Sequence, residues 1–243
     1  MPSTIRQRFQ TGRLQASPSI LACLACAVTG LELRASARPL QEPSSTWTQG
    51  KLEATSLAIQ KDVEDLRGAK FKVNVPVKLS SKDQFVNYAL ERTERMEPKL
   101  KRAADEMIQK MLGLIPTDMN LLEESMRLLK DQVGGFYDPT SKTFYLMDNC
   151  PLGIAKIVLA HELGHAIDDQ LYDIDGMITK LSERTDAVGA YQAVVEGSGT
   201  AVMGRWLGGH MGQVDMLGLA GMQDEQTASM LRAPMIMWPL FGL

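Results

Sequence analysis

Residues 161–165 read His-Glu-Leu-Gly-His, and this pentapeptide constrains the fold more than any other stretch of the chain. Residues four positions apart lie on one face of a helix, so His161 and His165 can direct an imidazole nitrogen at the same ion. Glu162 then stands beside the position at which a water molecule would bind, where it can act as a general base. We therefore expect a helix here that holds a metal ion at a cleft.

The residues before the pentapeptide predict where this helix begins and which of its faces is buried. Apolar residues lead from position 154 to the two histidines at steps of three and four, so the histidines continue the inward face. Asp148 or Asn149 can cap the N-terminus of the helix, and Pro151 fits its first turn. The predicted site therefore lies on the buried side of the helix.

The third protein ligand must come from elsewhere, because a catalytic zinc site usually has three protein ligands and one open position. In the extended motif with a third histidine, that ligand would fall at Leu171. Glu196 is the best candidate, since it is a lone acid in a segment with helical apolar spacing over residues 187–206, and a buried acid needs a cation. Gly197 and Gly199 are costly inside a helix and would be explained by close packing against the motif helix. The alternative is an ordinary exposed glutamate.

Other candidate residues rank below these. Two acids with more polar neighbours, Glu183 and Asp186, rank lower as ligands. So do Asp173 and Asp175, which lie in the loop predicted after the motif helix. Four side chains could stabilise an oxyanion, although residues of these types more often have a structural role. They are His210, Tyr191, Tyr172 and Arg205.

Helical apolar spacing recurs along most of the chain. It predicts helices over residues 51–66, ending at Gly68, over a long stretch that begins at Ser80 or Ser81 and is divided by Pro98, and over residues 119–132. Charged runs at residues 91–95 and 99–102 indicate solvated faces of these helices.

Two stretches have the pattern of β-structure. Apolar residues alternate from residue 70 to 79 and predict a strand, which Pro76 places at a sheet edge or a bulge. Residues 133–137 and 143–147 are aromatic and β-branched runs joined by a turn sequence, which predicts a hairpin just before the motif helix. The edge of this hairpin could bind a peptide as an extra strand, or the hairpin could only close the core. The predicted fold class is α+β, predominantly helical with a small sheet.

The first 37 residues have the pattern of a signal peptide. Three arginines precede an uncharged run over residues 17–31, and the Ala-Ser-Ala at 35–37 fits signal-peptidase cleavage. We therefore expect an exported protein, periplasmic or extracellular, and a lipid anchor at Cys23 is the less favoured alternative. Cys23 and Cys26 would leave with the leader, so that Cys150 alone would remain.

Composition and charge exclude two further classes of protein. The net charge is −3 and no basic stripe recurs at helical spacing, which argues against a nucleic-acid partner. No segment after the leader has about 18 uninterrupted apolar residues, so we expect no transmembrane helix after signal removal.

Residues 38–69 are expected to form a flexible N-terminus and a first helix, and residues 70–243 the main domain. The apolar end at 235–243 suggests a truncated chain.

His161, Glu162 and His165, followed after about thirty residues by a helical Glu196, resemble the glutamate-zincin (gluzincin) metallopeptidases. Residues 135–139, 159–166, 168–170 and 195–197 together resemble more closely a group of largely uncharacterised exported bacterial proteins with this motif. The resemblance covers about residue 128 to the C-terminus. It implies a zincin-like fold, Zn²⁺ bound by the two histidines and Glu196, and hydrolysis of peptide or protein substrates with Glu162 as the base.

The segment that follows Glu196 departs from the pattern of these families. Ser198 stands where the exported group has an acid, two residues after the ligand glutamate, and Thr200 stands where gluzincins have an acid. A ligand imidazole normally donates its other N–H to a carboxylate or carbonyl. Asp168, Asp169 or a backbone carbonyl could serve instead.

Three functions are compatible with these residues. The first is an exported zinc-dependent peptidase, and the second is a zinc-stabilised, non-catalytic binding or assembly protein of the cell envelope. An open water position beside a groove favours the enzyme, whereas a fourth protein ligand favours the structural role. The third is a metal hydrolase that acts on a non-peptide bond with the same activated water.

Overall fold

The computed structural model describes residues 47–214, 218–221 and 228. The predicted signal peptide with Cys23 and Cys26, the remaining residues to 46 and the apolar end at 235–243 lie outside the described residues. The elements are α1 (Gln49–Arg67), β1 (Val77–Ser80), α2 (Lys82–Met96), α3 (Lys99–Met111), α4 (Leu121–Gln132), β2 (Gly135–Asp138), β3 (Thr143–Met147), α5 (Leu152–Tyr172), α6 (Ile174–Leu181), α7 (Thr185–His210) and the 3₁₀ turn Met211–Gln213. This mostly helical arrangement with one small sheet agrees with the predicted α+β class.

The sheet has the strand order β1-β3-β2. β2 and β3 form the predicted antiparallel hairpin, in which Phe136 lies opposite Tyr145. β1 runs parallel to β3 along the other edge, which confirms the edge position expected from Pro76.

The strand predicted over residues 70–79 is wrong in its first part, since β1 begins only at Val77. The main chain before Pro76 finds its hydrogen-bond partners in side chains. The Val73 N–H donates to Oε1 of Gln170, and the Val75 N–H donates to Oε1 of Gln60. The alternating apolar pattern therefore extends through an irregular segment.

The helix boundaries follow local signals. Gly68 ends α1 in the left-handed conformation, with φ of 68°. Ser81 and Gln84 form a reciprocal capping box at the start of α2, and Pro98 separates α2 from α3 as predicted. The expected cap of α5 by Asp148 or Asn149 is wrong. The Asp148 N–H still extends the sheet by donating to the Ser80 carbonyl, so the chain must turn before α5 begins.

α5 lies at the centre of the molecule and packs against α7, α1 and the hairpin. Every residue from Ile157 to Asp169 is buried, so this helix is enclosed all round and does not merely present one inward face. The polar side chains that it carries into the core are His161, Glu162, His165, Asp168 and Asp169. Buried polar groups need partners, and those partners form the candidate site. Among the described residues, no helix is long and apolar enough to cross a membrane.

Candidate metal centre

The three predicted ligands converge between α5 and α7. The Nε2 atoms of His161 and His165 are 2.9 Å apart, and Oε2 of Glu196 lies 3.4 Å and 3.5 Å from them. A triangle of this size fits a single ion at the zinc–nitrogen and zinc–oxygen distances of about 2.0–2.2 Å. Two imidazoles and a carboxylate are also a donor set that zinc accepts. These residues therefore fit a zinc ion.

Two glycines allow α5 and α7 to approach this closely. A Cβ on Gly199 would lie 2.7 Å from Cε1 of His165 and 3.1 Å from Cε1 of His161. A Cβ on Gly164 would lie 3.3 Å from the Cα of Gly199. The packing expected of Gly199 is confirmed. The same expectation for Gly197 is wrong, because an added Cβ there meets nothing within 4 Å.

Burial and charge differ among the three ligands. The imidazoles are buried, whereas the Glu196 side chain is 29% exposed. Burial alone would raise the pKa of Glu196, but hydrogen bonds and electrostatic attraction from His161 and His165 outweigh burial and lower the pKa to about 2. The carboxylate is therefore ionised at neutral pH, as a metal ligand must be.

The outer nitrogens of the imidazoles do not reach the acids expected to orient them. Nδ1 of His161 and Nδ1 of His165 are buried and have no hydrogen-bond partner among the described residues. Asp168 is instead bonded to Arg67 and Ser198, with distances of 2.7 Å to Nε and 2.5 Å to Oγ. Ser198 thus joins α7 to α5, and Arg67 adds α1 to the same carboxylate.

Asp169 joins the hairpin to the motif helix. Its fully buried carboxylate accepts hydrogen bonds from the Tyr137 hydroxyl at 2.8 Å, Lys142 Nζ at 2.7 Å and the Ile174 N–H at 3.1 Å. Burial, and then the hydrogen bond to Asp169, raise the pKa of Tyr137 well above its usual range. Tyr137 therefore keeps its proton and donates it.

Glu162 is fully buried beside the three ligands and accepts a hydrogen bond at Oε2 from the backbone N–H of Tyr137, at 2.9 Å. This N–H points away from β3. It therefore lies at the outer edge of β2, which is the edge that could have bound a substrate strand. All four residues of β2 are buried as well. The arrangement favours the alternative in which the hairpin closes the core, and it gives the hairpin the further role of holding Glu162.

A cavity of about 120 Å³ reaches the ligands from α2, the hairpin and α6. Glu162, His165 and Glu196 are among the residues that line it. The apolar part of its wall includes Phe85, Tyr88, Phe136, Ile174, Ile178 and Val195. The remaining wall includes Arg92, which is 7% exposed, so the prediction that residues 91–95 form a solvated face is wrong at this position.

The lower-ranked acids lie outside the ligand cluster. Glu183 and Asp186 are exposed. Asp173 and Asp175 were expected in a loop, but Asp173 caps α6, where its carboxylate accepts from the Gly176 N–H, and Asp175 lies within α6 and pairs with Arg92. Neither is available as a ligand.

Three of the four candidates for oxyanion stabilisation have other contacts. His210 stacks on Trp206, and Arg205 donates to the Leu66 carbonyl. Tyr172 is 57% exposed and contacts Arg67. Tyr191 is partly exposed, and its pKa is raised first by burial and then by the charges of the acids at the end of α5.

Comparison of the chain with protein-family models, with curated proteins and with solved structures found no match. The residues of the site itself therefore carry the evidence for its function. Two groups that bear on it, the Tyr137 N–H and the Arg92 guanidinium, were missed from the sequence. A main-chain N–H is present in nearly every residue and cannot be singled out from the sequence. Arg92 lies in a run of charged residues that predicted a solvated helix face.

Proposed function

We propose that this protein is an exported zinc-dependent peptidase with a zincin-like fold and a gluzincin-type site. The observation that carries the proposal is the convergence of His161, His165 and Glu196 within 3.5 Å, on two helices packed through glycine, with Glu162 beside them. A sheet edge next to the motif helix and a second helix with the acidic ligand support the zincin-like fold.

The number of ligands supports an enzyme over a purely structural zinc protein. Over residues 47–214 and the few described beyond them, the donors that could hold one ion are these three. A structural zinc site is usually closed by a fourth protein ligand, whereas a catalytic site keeps that position for water. The adjoining cavity gives a substrate access to the same position.

The reaction is the addition of water across a peptide bond. Zinc held at this site would lower the pKa of a water molecule and polarise the substrate carbonyl. Glu162 takes one proton from that water as its oxygen bonds to the carbonyl carbon, and later delivers the proton to the leaving amine nitrogen as the C–N bond breaks. The Tyr137 N–H fixes the carboxylate of Glu162 for both transfers.

The test is Glu162→Gln, which keeps the size of the side chain and removes the base. We expect the variant to retain one equivalent of zinc by elemental analysis and to lose peptide cleavage by about 10²–10⁴-fold. Cleavage of a synthetic peptide mixture, followed by mass spectrometry, gives the readout.

The matched control is Glu183→Gln, which changes an exposed acid and should leave both values unchanged. Full cleavage by zinc-loaded Glu162→Gln would show that the catalytic assignment is wrong. Stoichiometric zinc with no cleavage of any peptide by the unaltered protein would support the non-catalytic alternative. Cleavage of esters or other bonds, but not of peptides, would support the third function.

A further inference from the structure

Arg92 is a buried cation in the wall of the cavity that adjoins the metal centre. It belongs to α2, and the whole residue is 7% exposed. A buried charge is costly unless anionic or hydrogen-bonding groups compensate it. The groups around this guanidinium therefore indicate what it holds.

The side chains around Arg92 accept hydrogen bonds from only some of its N–H donors. Nη2 lies 2.9 Å from Oδ1 of Asp175, and Nη1 lies 3.4 Å from Oγ1 of Thr140. The Tyr88 hydroxyl is also close enough to interact with it. A guanidinium carries five N–H donors in a planar fork that matches both oxygens of a carboxylate. Hydrogen bonds to these three side chains leave donors of the five for a further anion.

The charges of the cavity make Arg92 the place for such an anion. Of the described residues that line the cavity, Arg92 is the one lysine or arginine, while Glu162 and Glu196 are acids. A negatively charged group that entered would be repelled by the two glutamates and attracted to the guanidinium, whose charge already interacts with those of Asp175 and Asp138. The Asp175 side chain that now pairs with Arg92 is 34% exposed, so an incoming carboxylate could share the guanidinium with it.

The volume of the cavity limits what accompanies this carboxylate. A cavity of about 120 Å³ holds one apolar side chain, since one of roughly 150 Å³ holds a benzene molecule. The surrounding aromatic and aliphatic side chains suit an apolar group.

We propose that Arg92 binds a carboxylate of the substrate in the residue next to the scissile bond and is a specificity-determining residue. The proposal rests on the proposed peptidase function and names the substrate class of the same site. Two sources supply this chemistry: the C-terminal carboxylate of a short peptide, or the side chain of an aspartate or glutamate.

Three blocked dipeptides serve as probes in a direct binding experiment. Acetyl-Ala-Leu carries a C-terminal carboxylate, acetyl-Ala-Leu-amide carries none, and acetyl-Ala-Glu-amide carries a side-chain carboxylate. Binding is measured by calorimetry on the zinc-loaded full chain with Glu162→Gln, so that no probe is consumed, and is repeated after removal of zinc with a chelator. We expect one of the two carboxylate probes to bind about tenfold or more tightly than the uncharged amide.

Substitutions at the cavity connect this preference to Arg92. Arg92→Gln should reduce the preference for the carboxylate probe to about one, and Arg92→Lys should keep part of it, because an ammonium retains the charge but not the fork. Arg95→Gln, an exposed arginine on the same helix, is the matched control and should change nothing. Circular dichroism establishes that each variant is folded.

A second variant tests the proposal with Arg92 in place. Asp175→Asn removes the charge that now compensates the guanidinium, so it should tighten the carboxylate probe by about threefold or more and leave the amide unchanged. Equal binding of all three probes, or a carboxylate preference that survives both Arg92→Gln and Asp175→Asn unaltered, would overturn the proposal.

The outcome is separate from that of the peptidase test. If peptides are cleaved but carboxylate and amide probes bind alike, the peptidase stands and the assignment of Arg92 is wrong. If the carboxylate probe binds through Arg92 and no peptide is cleaved, the binding site stands and the peptidase proposal fails.

Discussion

At the scale of single residues, Gly199 determines how closely the two ligand-bearing helices approach. Replacing it with alanine would place a Cβ 2.7 Å from Cε1 of His165, which forces the imidazole or the helix to shift. We expect Gly199→Ala to cost about 1–3 kcal/mol of stability and to weaken zinc binding. Thermal unfolding and competition with a chromogenic chelator measure the two effects.

Gly197 provides the matched control two residues earlier in the same helix. Its added Cβ would meet nothing within 4 Å, so Gly197→Ala should stabilise the protein by about 0.5–1 kcal/mol and leave zinc affinity unchanged. Equal zinc affinity in Gly199→Ala and the unaltered protein would contradict the packing argument.

The ligands were predictable because helical spacing and chemistry leave few choices. His161 and His165 are four residues apart, and Glu196 is the lone acid of the apolar segment 187–206. The role of Ser198 was not predictable. Its hydroxyl reaches Asp168, thirty residues away in the chain, and no local pattern records that contact.

At the scale of elements, Asp138 fixes the turn of the hairpin that holds Glu162. Its carboxylate accepts from the N–H groups of Thr140 and Ser141, at 3.0 Å and 3.1 Å, and from the Tyr88 hydroxyl at 3.0 Å. Burial alone would raise the pKa of Asp138, but these hydrogen bonds outweigh it and lower the pKa below its ordinary value of 3.8.

This lowered pKa makes the contribution of Asp138 depend on pH in a definite direction. A carboxyl whose pKa is lower in the folded state stabilises the protein above the ordinary value, and this stabilisation is lost as pH falls through the folded pKa. We expect Asp138→Asn to cost about 1–3 kcal/mol at pH 7, and the difference from the unaltered protein to shrink below about pH 4. Urea unfolding across this range is the measurement, and the exposed Asp118→Asn should show neither effect. A cost that stays constant with pH would mean that the ionised form has no special role.

The elements differ in how well their sequence predicts them. Capping residues and prolines act locally, so the ends of α1, α2 and α3 follow from nearby residues. The segment before β1 does not, because Gln60 and Gln170 take the hydrogen bonds that a strand partner would have made. The start of α5 is later than its polar residues suggest, since Asp148 still belongs to the sheet ladder.

At the scale of the whole molecule, the two histidines of the candidate site lie inside the hydrophobic core and not in a surface loop. α5 is enclosed by α1, α7 and the hairpin, and Arg67 of α1 bonds to the helix that carries both histidines. Composition and periodicity predicted the fold class. The position of α1 against α5 was not predicted, because it depends on contacts such as that between Arg67 and Asp168, about a hundred residues apart.

Because His161 and His165 lie within the core, metal binding should stabilise the entire domain. A ligand that binds only the folded state at a hundred times its Kd adds about 2.7 kcal/mol. We expect zinc to raise the melting temperature by several degrees, a chelator to reverse this rise, and Glu196→Ala to abolish it. Differential scanning calorimetry with and without zinc is the measurement.

Glu183→Ala, an exposed acid on the surface, should retain the full effect of zinc. A melting temperature that is the same with and without zinc, in protein shown to bind one equivalent, would mean that the site is not coupled to the core.

The hydrogen bond from the Tyr137 amide to Glu162 also has a spectroscopic consequence. An amide proton that is donated to a carboxylate in a dry interior has a resonance frequency that depends on the charge of that carboxylate. In ¹⁵N-labelled protein the Tyr137 cross-peak is thus a natural reporter of the protonation of Glu162. Its shift during zinc titration or substrate binding would follow the candidate base without any added label.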